Sequence, residues 1–190
     1  MSADERIVIL HRYAIAPEVD DVARKHGWKF AQVIDRKDNQ FYEEIWTVNG
    51  DRAVVRFIDD HFVGVGYVVI TGPDADETER TLRASMHTMT EAEVVAAAKS
   101  GDAKDRANAI RSLAATTTDP DSPELYALLD AAADDRDKFI RLATIKAMAR
   151  MASKRHWSII QRRGAKEKDK DLRPEIDALI LAYKEFGKTS

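Results

Sequence analysis

Asp102-Ala103-Lys104-Asp105-Arg106-Ala107-Asn108-Ala109-Ile110-Arg111-Ser112-Leu113 returns, 35 positions further on, as Asp137-Lys138-Phe139-Ile140-Arg141-Leu142-Ala143-Thr144-Ile145-Lys146-Ala147-Met148. Asp102 falls on Asp137, Arg106 on Arg141, Ile110 on Ile145 and Leu113 on Met148. A weaker third copy runs from Leu172 to Ile180, with Arg173 standing 32 residues after Arg141. Self-similarity at a fixed period marks a chain built from successive copies of one supersecondary unit. Within each copy the apolar residues recur at helical spacing.

Each copy has a helical segment ahead of it, at about 91–100, 123–133 and 154–163. Thr90 with Glu93 forms a capping box before the first of these. Asp119-Pro120-Asp121-Ser122-Pro123 is a linker in which Ser122 can cap the second and Pro123 can occupy its first position. Ala96 to Ala98 and Ala131 to Ala133 are small enough to let paired helices approach closely. An aspartate near a turn, an arginine four residues on, then small and apolar residues at helical spacing: this pattern resembles the second helix of HEAT/armadillo-like repeats. The resemblance covers roughly residues 91–188 and implies about three helical pairs, each covering the apolar side of its neighbour. It also implies that Asp102, Arg106, Asp137 and Arg141 form an internal ladder between repeat turns, a structural role.

Upstream the pattern changes. Arg6 to Tyr13, with the apolar run Ile7-Val8-Ile9-Leu10, suits a buried strand. Pro17 to His26 reads as a helix stopped by Gly27, and Lys29 to Asp35 as a second strand. A polar turn at Lys37 to Gln40 leads to a strand over Phe41 to Val48. Asn49-Gly50 is a strong hairpin signal, since both residues tolerate the positive φ of a type I′ turn. Arg52 to Ile58 and Phe62 to Thr71 then pair around Asp59-Asp60-His61, and Gly72-Pro73-Asp74 precedes a helix over Asp76 to Met86. The expected fold class is α+β: a small amino-terminal sandwich over 1–89, loosely ferredoxin-like with a mainly antiparallel sheet, then an all-α HEAT-like solenoid over 90–190.

Composition bounds the function. The chain has 190 residues, 44% hydrophobic and 33% charged, and no cysteine, so disulfides, thiol nucleophiles and cysteine-bound metals are excluded. The polar start and the lack of a run of about 18 apolar residues point to a cytoplasmic protein with no membrane partner. Charge is segregated: residues 1–89 carry 11 Lys/Arg against 16 Asp/Glu, residues 90–138 carry 6 against 11, and residues 139–190 carry 13 against 6. The five histidines show no metal-binding spacing, and no phosphate loop or nucleophile elbow is present, so neither a cofactor nor catalysis is expected. Asp59-Asp60-His61 is expected to be a solvated hairpin tip.

The candidate sites are therefore surfaces. Arg111, Lys146 and Arg150 face away from the expected helical core and are candidates to hold a protein partner. Lys154, Arg155, Arg162, Arg163, Lys166, Lys168 and Lys170 crowd 17 residues, with Arg155, Arg162 and Lys166 on one helix face. That basic face would suit an acidic protein or, as the alternative, nucleic acid, although Glu167, Asp169 and Asp171 interrupt it. Trp157, Ile159 and Ile160 are expected in the core. In the first domain, Gly64 and Gly66 clear a strip on one sheet face, while Tyr42, Trp46 and Tyr67 gather on the other with Arg56 nearby, a patch for docking or homodimerisation. The reading is a non-catalytic adaptor; an enzyme with its site beside Arg56 and His11 is the weaker option.

Overall fold

The computed structural model describes residues 5–11, 15–37 and 41–186. The polar turn expected at Lys37 to Gln40 lies largely outside them. Two compact units divide the chain, Met1–Val94 and Val95–Ser190.

The first unit contains β1 (Glu5–Leu10), α1 (Ala16–Lys25), β2 (Lys29–Ile34), β3 (Tyr42–Val48), β4 (Ala53–Asp60), β5 (Val65–Thr71), α2 (Ala75–Ser85) and β6 (Thr88–Met89). The six strands form one sheet in the order β2-β3-β4-β5-β1-β6, and every neighbouring pair is antiparallel. This is an α+β domain, but its order departs from the ferredoxin-like expectation. Short turns force β2 to β5 into a meander, and β1 joins beyond β5, so three strands separate β1 from β2. The link between them is α1, whose Ala16, Val19, Val22 and Ala23 pack on one sheet face with Ala75 and Leu82 of α2. Val8, Leu10, Trp46, Val48, Val55, Phe57, Val68 and Ile70 supply that face. Trp46 Nε1 also donates to Asp20 Oδ1 of α1 at 3.3 Å.

Both hairpins differ from expectation in the same direction. Asn49-Gly50 does mark a turn, but Val48 pairs with Ala53, so the loop has four residues rather than two. Asn49, Gly50 and Asp51 all take positive φ, and the Arg52 N–H closes the loop onto Val48 O at 3.0 Å. In the next hairpin Asp60 pairs with Val65, which moves the turn from Asp59–His61 to His61–Gly64. Asp60 causes the shift. It is 0% exposed, not solvated, and its Oδ1 accepts the N–H groups of Phe62 and Val63. Gly64 consequently sits in the turn at φ 77°, and the expected two-glycine strip on β5 does not form.

The rest of the chain is helical: α3 (Glu91–Ser100), whose first turn belongs to the first unit, then α4 (Ala103–Thr116), α5 (Pro123–Ala133), α6 (Lys138–Met151), α7 (Lys154–Lys166) and α8 (Leu172–Phe186). The expected starts are present in detail. Thr90 N–H donates to Glu93 Oε2 at 2.7 Å while Glu93 N–H donates to Thr90 Oγ1 at 3.2 Å, a reciprocal box. Ser122 Oγ accepts from Leu125 N–H, with Pro123 at the first position of α5. Helices α4, α6 and α8 pack in succession, as do α5 and α7. The matched residues Ile110, Leu113, Ile145 and Met148 are all buried. No helix among the described residues is long and apolar enough to cross a membrane.

Candidate interaction surfaces

The repeated aspartates are helix caps. Asp102 Oδ1 accepts from Asp105 N–H at 2.8 Å ahead of α4. Asp137 Oδ1 accepts from Phe139 N–H at 2.7 Å and Ile140 N–H at 3.4 Å ahead of α6. A third member was hidden in the weak copy: Asp169 Oδ1 accepts from Asp171 N–H at 2.9 Å and Leu172 N–H at 3.2 Å ahead of α8. A carboxylate there takes up helix N–H groups that have no partner within the helix, and its charge suits the positive end of the helix dipole.

The repeated arginines do reach the following turn, but not to these aspartates. Arg106 Nη2 donates to Asp135 at 2.7 Å, and its Nε donates to Ala98 O at 3.4 Å. Arg141 donates through Nε and Nη2 to Glu167 at 3.0 and 3.1 Å, and through Nη1 to Asp135 O and Arg136 O at 3.0 Å. Each arginine thus binds carbonyl groups at its own pair's turn and a carboxylate at the next. Asp135 and Glu167 each stand two residues before a cap, and each also accepts that cap's own N–H, at 2.9 Å in both cases. Sequence reading missed both acceptors; the recurring acid-X-Asp ahead of α6 and α8 is the signal that finds them. Arg173, the third copy, turns back onto Asp177 within α8.

Glu167 is held well below the usual carboxylate range. Burial pushes its pKa up, but the Arg141 hydrogen bonds, the Asp169 N–H and Arg163 outweigh burial and hold it down at about 2. Asp135 is likewise held below its ordinary value, with the Asp137 N–H and Arg106 overcoming burial.

The three arginines of the basic segment make contacts within the fold, while Lys154, Lys166, Lys168 and Lys170 are exposed. Arg155 lies over the Tyr126 ring, 4.0 Å from its centroid, and donates to Asp121 O. Arg162 donates to Asp130 at 2.7 Å and to Asp134 at 3.3 Å, and Arg163 bonds Asp134 and Glu167. Arg155 and Arg162 thus reach the residues of α5 and its two ends while Arg155, like Lys166, stays exposed. Ile159 and Ile160 are buried as expected; Trp157 is half-buried and stacks on Tyr183 at 3.7 Å. His156 was not singled out by the sequence. It is fully buried against Tyr126, neither ring nitrogen has a hydrogen-bond partner, and burial lowers its pKa.

Arg111 and Lys146 occupy equivalent positions on the packed helices α4 and α6, and Arg150 lies one turn beyond Lys146. All three are half-buried; Lys146 Nζ lies 3.3 Å from Glu175 of α8.

In the amino-terminal unit the expected patch divides. Register pairs Trp46 with Val55 and Ile45 with Arg56, so Trp46 and Arg56 point to opposite faces. Tyr42 shares Trp46's face, which α1 and α2 cover, and Trp46 is 1% exposed. Tyr67, paired with Ile58, is on the side of Arg56 and is also buried. Arg56 forms a forked pair with Glu43 at 2.8–3.0 Å. Alternation along β3 and β4 sets Arg56 opposite Trp46, and the shift of the following turn to His61–Gly64 carries Tyr67 to the side of Arg56. His11 and His87, 76 residues apart, stack at 4.0 Å where β1 meets β6. The described residues hold no cluster of three or more His, Asp or Glu able to take a metal.

No family model matches this chain, and no curated protein or solved structure matches it either.

Proposed function

We propose that this protein is a non-catalytic adaptor whose carboxy-terminal half is a HEAT-like array that binds a protein partner, with the amino-terminal domain serving docking or dimerisation. The observation that carries the reading is the repeated clasp, Arg106 to Asp135 and Arg141 to Glu167. Its arginines stand 35 residues apart and its acceptors 32, the two offsets found between the sequence copies, and a joint that recurs is what a stack of like units requires. The succession of α4, α6 and α8 on one side and α5 and α7 on the other supports the same reading.

Such arrays act through extended side-chain surfaces rather than a single deep pocket. The surface proposed for partner capture is the equivalent row of Arg111, Lys146 and Arg150. Affinity capture from the native cell, run with the intact chain and with the K146E/R150E variant, tests it. Loss of a co-purifying protein in the variant, with the helical circular dichroism unchanged, is the expected result. Equal capture by both chains rejects that surface.

Nucleic-acid binding by the basic end is the less favoured reading, because Arg162 and Arg163 are already neutralised by Asp130, Asp134 and Glu167. Binding whose strength falls steeply between two salt concentrations would reverse that preference.

A further inference from the structure

Two successive turns of the helical half carry the same plan, an acid, a cation and a capping aspartate: Asp135-Arg136-Asp137 ahead of α6 and Glu167-Lys168-Asp169 ahead of α8. In sequence the acids alternate with the cations and cancel them. The fold separates the two signs. Asp135 and Glu167 turn inward to Arg106 and Arg141, while Asp137 and Asp169 are taken up as caps of α6 and α8. The flanking acids are matched as well. Asp134 lies 3.3 Å from both Arg162 and Arg163, and Asp171 accepts from Lys138 Nζ at 2.6 Å. Arg136 and Lys168 in the middle of each turn, and Lys170 just beyond, are exposed, and no described residue pairs with their side chains. The Lys138–Asp171 contact sets the two turns side by side, so these three cations share one edge of the helical half.

We infer that this turn edge binds an extended acidic segment of a protein partner, whose Asp or Glu side chains meet Arg136, Lys168 and Lys170. The inference rests on the reading of the helical half as a protein-binding array, and it lies apart from the row proposed above, since Lys146 stands about 12 Å further along α6 than Lys138. Charge complementarity selects an anion, and the layout of the edge selects a peptide. Packed helices lie about 8–10 Å apart, and an extended chain advances about 3.3 Å per residue. An acid at every third position therefore meets successive turns. The cations are interrupted by Asp134 and Asp171, whose side chains are 48% and 78% exposed. A peptide can set a neutral residue against each of them, whereas a nucleic-acid backbone carries a charge at every unit and cannot. Exposed pairs of this kind are individually weak and screened by salt. The contact is therefore a low-affinity one that several charges make together.

Fluorescence anisotropy of a labelled short poly-glutamate peptide, titrated with the full chain at low salt, is the test. The parent should bind, and R136E/K168E/K170E should weaken that binding about tenfold or more. K25E/K29E/K99E changes the net charge by the same amount at exposed lysines elsewhere and should bind like the parent. All six positions are exposed, so both variants should melt like the parent. The K146E/R150E chain should also keep the peptide. A peptide that the parent does not bind, that both triple variants lose alike, or that K146E/R150E loses instead overturns the inference. Tighter binding of a single-stranded oligonucleotide of equal charge overturns it too, in favour of nucleic acid. Absent peptide binding, with a captured partner still lost in K146E/R150E, rejects this edge and leaves the protein-binding array standing.

Discussion

Arg141 and Glu167 face each other in a bidentate pair, Nε to Oε2 at 3.0 Å and Nη2 to Oε1 at 3.1 Å, with side chains only 10% and 2% exposed. The pair ties α6 to the turn before α8, and every remaining acceptor position on Glu167 is used by Arg163 and two backbone N–H groups. A buried ion pair is costly to form, but once formed it is more costly to break on one side. The other clasp, Arg106 with Asp135, is wetter, at 26% and 18%.

Glu167→Gln should therefore destabilise the helical half by about 3–5 kcal/mol, because it strands the Arg141 guanidinium in a dry site. Asp135→Asn, at the more exposed joint, should cost about 1–2 kcal/mol. Urea midpoints followed by helical circular dichroism measure both. Equal losses would show that the joints do not differ as their burial implies.

The same carboxyl sets an acid response. Its pKa in the fold, about 2, lies below the ordinary 4.5, so the unfolded chain binds more protons between those values. The stability that Glu167 contributes is complete above about pH 4.5 and drains as pH falls toward 2. It amounts to about 3 kcal/mol. Melting temperature against pH should fall steeply in that window, and Glu167→Gln should flatten the fall. Parallel curves for parent and variant would contradict the assignment.

His156 predicts a second, milder response. Burial holds the neutral ring, with Asp121 opposing that shift and Arg155 reinforcing it. Since its folded pKa lies below 6.5, stability is full above that pH and declines as pH drops beneath it. His156→Leu removes two buried nitrogens that lack partners, so it should erase the part of the decline below pH 6.5 that the parent shows. Thermal melts across that range compare the two slopes; identical slopes would mean that His156 does not titrate with unfolding.

Gly72→Ala should be severe. Gly72 has φ 110°, and a Cβ there would lie 2.5 Å from Arg52 O and 3.1 Å from Ala53 Cα. Neither atom is the loose end of a side chain, so the backbone itself would have to move. The site also brings Arg52 within hydrogen-bond reach of Asp74, at 2.7–3.0 Å, which fastens the β3–β4 turn to the start of α2. A loss of at least about 3 kcal/mol is expected, read from the unfolding of the amino-terminal domain. A loss under about 1 kcal/mol would show that the turn yields easily.

What was legible in the chain was whatever depends on near neighbours. Helix starts at Thr90 and Ser122 could be read because a cap and its N–H groups lie within three residues, whereas Asp102 and Asp137, expected in a ladder between turns, cap their own helices. The 35-residue offset between Asp102 and Asp137 located two packed helices without any coordinates. Strand positions in the first half were close for the same reason. The turns were less so, because Asp60 reorganises its hairpin from a buried site that polarity alone assigns to solvent.

By itself, then, the sequence determined the two-part organisation, the α+β character of the first part, the helical character of the second and the period that relates α4 to α6. Those follow from local hydrogen bonds and from apolar spacing, which any segment carries within itself. Tertiary structure alone decided which acid meets Arg141, which face of the sheet receives Trp46 and Arg56, and that β2 is left as an edge. Each depends on residues brought together from distant positions, and a difference of two residues in a turn changes strand register, and with it which side chains meet.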